Sequence, residues 1–200
     1  MGTTRELVAG MALGHVGSSA SIADLATERS PEADQCRKFL TPAILATLES
    51  FDWPEATSYV TLALVEETPN GDWDFSYRYP SGMVKVRRIV TELGRLDPNP
   101  PPFRVGLDAQ GLLVYTNEAE VVVECTADIS ARLSIFPALL VDAVSWKLAE
   151  YIAPALSRVK GIMDVVKGGY LMSLDRARVK AAQEQQQERE PEADHIRARD

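Results

Sequence analysis

The apolar residues of this chain change their spacing twice, and that change restricts the fold more than any other feature of the sequence. Near the start they recur at steps of three or four, which predicts an amphipathic helix that ends at Gly17. Between residues 57 and 128 the period is two, which is typical of half-buried strands. After Asp128 the helical spacing returns. The sequence therefore predicts an α+β fold in which a β region is inserted between helical segments.

The two helical segments are expected to meet in one helical bundle formed by the N- and C-terminal helices. Residues 1–56 supply the first part and residues 129–181 the second. Residues 57–128 are expected to form the inserted antiparallel β region, with about six strands of ordinary length. Residues 182–200 are too polar to be buried and are expected to form an extended C-terminal tail.

Prolines mark several expected helix boundaries. The pair Ser30-Pro31 is typical of an N-cap followed by the first helical position. Pro42 should kink or split the helix that follows, and Pro154 should end or bend the helix after the β region, because the proline ring clashes with the preceding turn. A last helix is expected from about residue 157 towards residue 190.

Alternation and turn residues predict the individual strands. Tyr59–Glu67 and Trp73–Tyr79 are expected to form a hairpin around a turn at residues 68–71. Met83–Val90 is expected to be the third strand, and further strands are expected between residues 103 and 126.

Composition excludes several classes of protein. The formal net charge of −8 argues against a general DNA-binding surface, which usually carries a basic stripe. Cys36 and Cys125 are too few for a disulfide framework or a cysteine-based zinc site, and both fall at apolar positions. The most apolar run, Ile135–Val144, is far shorter than the ~20 residues of a membrane span. No signal peptide is recognised, so we expect a protein made in a cytosolic setting, without a membrane partner.

Candidate catalytic residues are few. The sequence has no P-loop, dinucleotide-binding or nucleophile-elbow motif, and His15 and His195 lie far apart along the chain. Asp72 and Asp74 share one exposed face beside a turn, and a hydrolase could use two such carboxylates. Solvated turn residues are the simpler interpretation. No cofactor or metal site is expected.

The basic residues Lys85, Arg87 and Arg88 are the candidate phosphate contacts. Strand alternation places Lys85 and Arg87 on one face and Arg88 on the other, which is unsuited to phosphate binding. A DNA-binding accessory protein is therefore only a third hypothesis, and Arg88 is expected to pair with an acid at an interface. The aromatic residues of the preceding strand share one face, which predicts packing in a core or against another subunit: Trp73, Phe75, Tyr77 and Tyr79.

The polar tail has an internal order of its own. Pro191 could start a short helix whose last turn contains Arg197 and Arg199, as the helix dipole favours. Ile196 is the only large apolar side chain after Val179. Two interpretations stay open, a solvated tail and a segment that folds on a partner.

The order of these pieces resembles the head-to-tail adaptors of short-tailed phages, the tail tubular protein A family. The resemblance extends over residues 7–182 and rests on the order and spacing of five motifs rather than on any single one. Two of the motifs lie in the first helices, an A-L-x-x-V-G helix end at Ala12–Gly17 and an acidic P-E-A-x-x-C-x-x-F helix at Pro31–Phe39. Two lie in strands, an aromatic strand that ends in proline at Trp73–Pro80 and a V-R-R-I strand at Val86–Ile89. The fifth is a later helix with these residues before Pro154: Phe136, Val141, Ala143, Leu148 and Ala149.

The resemblance implies a non-enzymatic structural protein of the virion, assembled in the host cytoplasm. Such adaptors form a dodecameric ring that docks beneath the portal, extends the DNA channel, and offers a surface to the tail nozzle. Tail fibres are a further partner that the resemblance allows. Genome DNA passes through the lumen without sequence-specific binding, and an acidic chain suits such a conduit because it repels phosphate. A virion-associated cell-wall hydrolase that uses exposed carboxylates is the alternative.

The resemblance also implies where the contacts with partners lie. The end of the chain would reach the portal and become ordered there, through Arg178, Gln183, Gln187, Arg189, Ile196, Arg197 and Arg199. The β region would supply structural or subunit-interface residues, namely Trp73, Tyr77, Tyr79, Arg87 and Arg88.

Overall fold

The computed structural model describes residues 3–92, 94, 97 and 99–185. Within these residues the chain forms four α-helices and two antiparallel β-sheets, with all seven strands between the second and third helices. The predicted α+β class and the insertion of the β region between helical segments are therefore confirmed.

The helices begin where the sequence supplies caps. Helix α1 is Arg5–His15, α2 is Pro31–Glu49, α3 is Ala138–Leu156 and α4 is Ile162–Gln185. The hydroxyl of Thr4 accepts a hydrogen bond from the Leu7 amide at 3.2 Å, and that of Ser30 accepts one from the Ala33 amide at 3.2 Å. These bonds satisfy amides that a helix start leaves without partners. The predicted N-cap at Ser30 is confirmed.

The two prolines interrupt their helices less than predicted. Helix α2 runs through Pro42 without a break, and α3 continues two residues beyond Pro154. An internal proline costs a helix roughly 3 kcal/mol, and Leu40, Ala43 and Ile44 are buried around Pro42, which offsets that cost. The prediction that Pro42 could split the helix is wrong. Helix α4 starts later than predicted, after Gly161 at a φ of 81°.

The seven strands divide between two sheets. They are β1 Thr57–Thr61, β2 Leu64–Asn70, β3 Trp73–Arg78, β4 Met83–Ile89, β5 Arg104–Asp108, β6 Gly111–Thr116 and β7 Val122–Ala127. Strands β1, β7 and β4 form one sheet in that order, and β2, β3, β6 and β5 form the other. We call the first the inner sheet, because its Val84 and Ala127 pack against the core of the helices. The second is the outer sheet.

The predicted single strand Tyr59–Glu67 is wrong, because the chain changes sheets in its middle. The Leu62 amide donates to the Val121 carbonyl at 2.9 Å, beside the inner sheet, whereas the Ala63 carbonyl accepts from the Arg78 amide at 2.9 Å, beside the outer sheet. Alternating side chains continue through this crossing, so the pattern alone could not reveal it.

Two hydrophobic cores hold the molecule together. In the first, α3 packs against α1, α2 and α4, and Leu13, Ile44, Leu148 and Ile152 are among its fully buried side chains. The second lies between the sheets and contains Tyr77, Ile89, Val114, Val123 and Cys125. The inner sheet therefore lies between the helices and the outer sheet.

Candidate functional site

The basic cluster of β4 forms an ionic centre around the buried Glu124, which we call the arginine corner and define as Arg87, Arg88, Glu124 and the exposed Asp52. Glu124 is 4% exposed, and its two carboxylate oxygens accept from different arginines. Oε1 lies 3.3 Å from Nη1 of Arg87, and Oε2 lies 2.9 Å from Nε of Arg88. Asp52 lies 3.4 Å from Nε of Arg87. Two guanidinium groups and two carboxylates thus meet within one small volume.

A β-bulge explains why both arginines reach the same acid. Along the β4–β7 pair, Val86 faces Cys125 and Arg88 faces Glu124, so Arg87 is an extra residue opposite the partner strand. Such a bulge changes the direction of side chains locally. The predicted division of Arg87 and Arg88 between the two faces of the sheet is wrong for this reason. Arg88 does pair with an acid, as expected, and that acid, Glu124, belongs to the same chain.

The remaining donors of Arg87 are bonded to the protein itself. Nε donates to the Thr126 hydroxyl at 2.9 Å, Nη1 to the Thr57 hydroxyl at 2.8 Å, and Nη2 to the Trp53 carbonyl at 2.9 Å. The Arg87 side chain is only 3% exposed. Because both its charge and its N–H groups have partners, Arg87 is not positioned to bind a phosphate.

The corner also joins the end of α2 to the inner sheet. Lys85 of β4 donates to the Glu49 carbonyl at 3.0 Å and forms an ion pair with Asp52 at 2.8 Å. Nearby, the indole N–H of Trp53 donates to the Thr47 carbonyl at 2.9 Å. The basic residues of β4 therefore fix the sheet on the helices, which is a structural role.

The predicted aromatic interface is largely internal. Tyr77 is buried, and its hydroxyl donates to the Glu118 carbonyl at 2.7 Å. Tyr79 is half-buried and packs against the same core between the sheets. Burial raises the pKa of both phenols. Trp73, at the start of β3, is partly buried like Tyr79.

The predicted portal-binding residues fall into two groups. Arg178 is used inside the subunit, since its Nη2 donates to the Ser50 carbonyl at 2.7 Å and its guanidinium lies 5.9 Å from the centre of the Phe51 ring. Gln183 is exposed near the end of α4. The others lie outside the described residues: Gln187, Arg189, Ile196, Arg197 and Arg199.

Helix α4 presents an apolar surface that the sequence analysis missed. Val165, Leu171, Met172 and Val179 are each more than half exposed, and we call them the α4 stripe. Val165, Met172 and Val179 are seven residues apart, so they share one face of the helix. The opposite face contains Val166, Tyr170 and Leu174, which are buried against the rest of the helices. The seven-residue spacing of Val165, Met172 and Val179 in the sequence could have indicated this apolar face.

A second missed cluster joins α1, α3 and α4 through His15. The imidazole stacks on Trp146 with ring centres 3.6 Å apart, and its Nε2 lies 3.0 Å from the Ser145 hydroxyl. That hydroxyl donates to the Asp142 carbonyl at 2.7 Å, and the Asp142 carboxylate accepts from Ser173. Because the Ser145 proton is already donated to a carbonyl, His15 is not placed to remove it, and the cluster is a structural link. Burial lowers the pKa of His15.

The acidic pair considered for hydrolysis lies at the surface. Asp72 and Asp74 are both exposed beside the β2–β3 turn. Their backbone amides donate hydrogen bonds to the side chains of Asn70 and Asn117, each at 3.0 Å. This is the placement of solvated turn residues.

The two cysteines are buried in the protein interior, which is typical of structural rather than reactive thiols. Cys36 and Cys125 are buried, and burial raises the pKa of each thiol to about 11, which leaves the reactive thiolate scarce at neutral pH. Over the described part of the chain, His, Cys, Asp and Glu side chains form no cluster of three or more that could hold a metal ion. In the same part, no helix has the length and apolar character needed to span a membrane.

Comparison with known proteins adds no assignment. No protein-family model matches the chain, and a search among curated proteins finds no significant match.

Proposed function

We propose that this protein is a structural subunit of a virion, a head-to-tail adaptor whose ring docks beneath the portal. In that position it extends the DNA channel and provides the attachment surface for the tail nozzle. The observation that carries the proposal is the α4 stripe, which is an exposed apolar surface. The arginines of the arginine corner, by contrast, are bonded within the subunit. The order of motifs over residues 7–182 supplies the choice of family.

The α4 stripe has the features expected of a contact between protein subunits. Water-exposed apolar side chains on one helix face cost solubility unless a partner covers them. Lys167 and Arg176, with Asp164 and Asp175, lie among these apolar residues on the exposed side of α4 and could form the polar rim of such an interface. Helices from both ends of the chain pack around α3, so the helical bundle of the proposal would place α4 against the next subunit of the ring.

The arginine corner fits the mechanical task of an adaptor. A subunit between a DNA-filled head and a tail has to transmit force between its portal side and its nozzle side. Lys85 and Arg87 connect the sheet to the end of α2 through several directed bonds. A charge network of this kind, with Arg87 and Glu124 buried at its centre, favours one relative position of helices and sheet.

Assembly tests the proposal through the stripe. Purified protein with Met172→Glu should fail to form rings on portal protein, because a carboxylate would be buried in the new interface. The matched control is Val65→Glu on the outer sheet, where an exposed apolar residue also becomes acidic. Rings that form equally well with both variants would contradict the role given to α4.

The end of the chain gives a separate test of portal attachment. Deletion of residues 186–200 leaves every described helix and strand in place. The shortened protein should keep its circular dichroism spectrum and lose binding to portal rings. Normal binding by the shortened protein would show that Gln187, Arg189 and Ile196 do not carry the contact.

A further inference from the structure

The two edges of the outer sheet are built differently. Edge strand β2 carries Glu66, Glu67 and Pro69, and its pairing with β3 shifts register twice. Thr68 also takes a positive φ of 50°. Charges, a proline and irregular pairing are features with which natural proteins prevent an edge strand from pairing with another chain. The β2 edge is therefore closed to strand addition.

The opposite edge, β5, has a regular and open backbone. Its five residues, Arg104–Asp108, pair with β6 in one continuous register. Val105 is 43% exposed and Leu107 is 72% exposed, and the strand contains neither proline nor lysine. In the part of the chain that the structure describes, no strand lies on its outer side.

The register identifies which backbone groups point outward. The Leu112 carbonyl accepts from the Tyr79 amide, so it points away from β5. Leu107, which faces Leu112, therefore belongs to a pair without mutual hydrogen bonds, and so does Val105, two residues away. In such pairs the N–H and C=O groups point to the other side of the strand. Val105 and Leu107 thus present two donors and two acceptors at the open edge.

We propose that β5 pairs with the β5 of a second copy of this chain, antiparallel, about a two-fold axis at Gly106. The sequence Arg-Val-Gly-Leu-Asp is self-complementary in this arrangement. Val105 lies opposite Leu107 of the second copy, and the two residues exchange both backbone bonds. Arg104 lies opposite Asp108 of the second copy, so opposite charges meet at each end of the pair. The two outer sheets then form one continuous sheet.

The side chains on both faces fit this pairing. At the axis, Gly106 has no side chain, and the Tyr115 ring occupies the place of a β-carbon there, 2.4 Å from its ideal position. On one face, Val105, Leu107 and Leu112 continue into their equivalents of the second copy and cover one another. On the other face, Oδ2 of Asp108 accepts only from Arg78 among the described residues, so it can also accept from Arg104 of the second copy.

The inference goes beyond the proposed function and does not depend on it. Pairing through β5 describes the free protein and leaves the α4 stripe exposed for ring assembly. Five residues bury far less than the ~1,200–2,000 Å² of a standard stable interface, so the dimer should be weak, with a dissociation constant of tens of micromolar or above. A strand from a different protein on this edge is the competing outcome.

Sedimentation velocity of the full chain over a concentration series tests the pairing. The unmodified protein should shift from monomer to dimer as its concentration rises. Leu107→Lys should weaken dimerisation at least about tenfold, because it places a charge in the apolar strip of each copy. Val65→Lys, on the closed β2 edge, should leave it unchanged. A protein that stays monomeric throughout, or a dimer that both substitutions affect equally, would overturn the proposal.

Cysteine pairing tests the register separately. Val105→Cys and Leu107→Cys proteins are mixed with an added oxidant, while the two native cysteines stay buried. In the hydrogen-bonded 105–107 pair the β-carbons lie about 5.5 Å apart, so a disulfide there is strained but reachable from the ~3.5–4.5 Å optimum, whereas identical positions are diagonal at about 7–8 Å and out of reach. The mixed disulfide dimer should exceed both self-linked dimers. Equal yields of all three would reject a two-fold axis at Gly106.

Discussion

The inner and outer sheets use the same chemical pair, an arginine with a carboxylate, in opposite ways. In the inner sheet, Arg87 and Glu124 are buried, and their bonds fix the sheet to the helices. In the outer sheet, Arg78 binds both oxygens of Asp108 at 3.0 and 2.9 Å, but each side chain is about 30% exposed. Water competes for a charge pair only where it can reach it, so we expect the buried inner pair to contribute more to the stability of the fold than the exposed outer pair.

The largest expected effect is the loss of the buried acid. Glu124→Gln keeps the shape of the side chain and removes its charge, so Arg87 and Arg88 lose the buried carboxylate that they share. We expect the free energy of unfolding to fall by about 3–5 kcal/mol, as when one member of a buried pair is removed. Urea unfolding followed by circular dichroism measures it.

The matched change in the outer sheet is Asp108→Asn. It should destabilise the protein much less than Glu124→Gln, because the Arg78 that it leaves behind is partly solvated. Equal decreases in the free energy of unfolding for the two substitutions would contradict the view that burial makes the inner charge pair more important for stability than the outer one.

Two glycines, one in the helices and one in the outer sheet, allow a second comparison of stability between these regions. A β-carbon on Gly169 would lie 2.4 Å from the Trp146 ring, and one on Gly106 would lie 2.4 Å from the Tyr115 ring. Trp146 is held by its stacking on His15, whereas Tyr115 lies half-buried on the outer sheet and can turn aside. We therefore expect Gly169→Ala to cost about 1–3 kcal/mol and Gly106→Ala less, in the same urea measurement.

Gly168→Ala is the control for the helix itself. No atom lies within 4 Å of a β-carbon at this position, so the substitution should stabilise α4 by about 0.5–1 kcal/mol. A loss of stability in Gly168→Ala would show that the backbone of α4 requires glycine at this point. The cost of Gly169→Ala could then not be assigned to its contact with Trp146.

Particular residues show how far the sequence could predict this structure. The Ser30 cap and the helical stripes were readable, because capping and periodicity are local properties. The bulge at Arg87 was not, since strand alternation assumes regular pairing and the bulge depends on the partner strand β7. The change of sheet at Leu62 was hidden for the same reason.

The candidate sites divide in the same way. The exposure of Asp72 beside a turn followed from local signals. The bond between Arg178 and the Ser50 carbonyl joins residues 128 positions apart, which no local pattern indicates. The α4 stripe had a readable spacing, but only the packed structure distinguishes its exposed face from the buried one.

The smallest expected effect is a dependence of stability on pH. The helices around His15 and the outer sheet around Asp108 should lose stability in different pH ranges. Burial lowers the pKa of His15 from 6.5, so the unfolded chain takes up a proton first. The stability that neutral His15 gives the helices is complete above pH 6.5 and decreases as the pH falls through that value. His15→Phe should remove this decrease in pH-dependent urea unfolding.

The outer sheet should respond only in strong acid. The hydrogen bonds from Arg78 lower the pKa of Asp108 from 3.8 to about 2, so its contribution is complete above pH 3.8 and is lost as the pH falls through about 2. NMR signals of β5 and β6 should therefore stay unchanged between pH 7 and pH 5. Changes of the β5 signals in that range would contradict the assignment.

The most direct test of the proposed adaptor role is to mix the purified protein with purified phage portal rings and to image the product by electron cryomicroscopy. We expect a ring of this protein coaxial with the portal, with the α4 stripe covered by a neighbouring subunit and the arginine corner bonded inside each subunit. A protein that does not bind the portal, or a ring in which Val165, Met172 and Val179 remain in solvent, would contradict it.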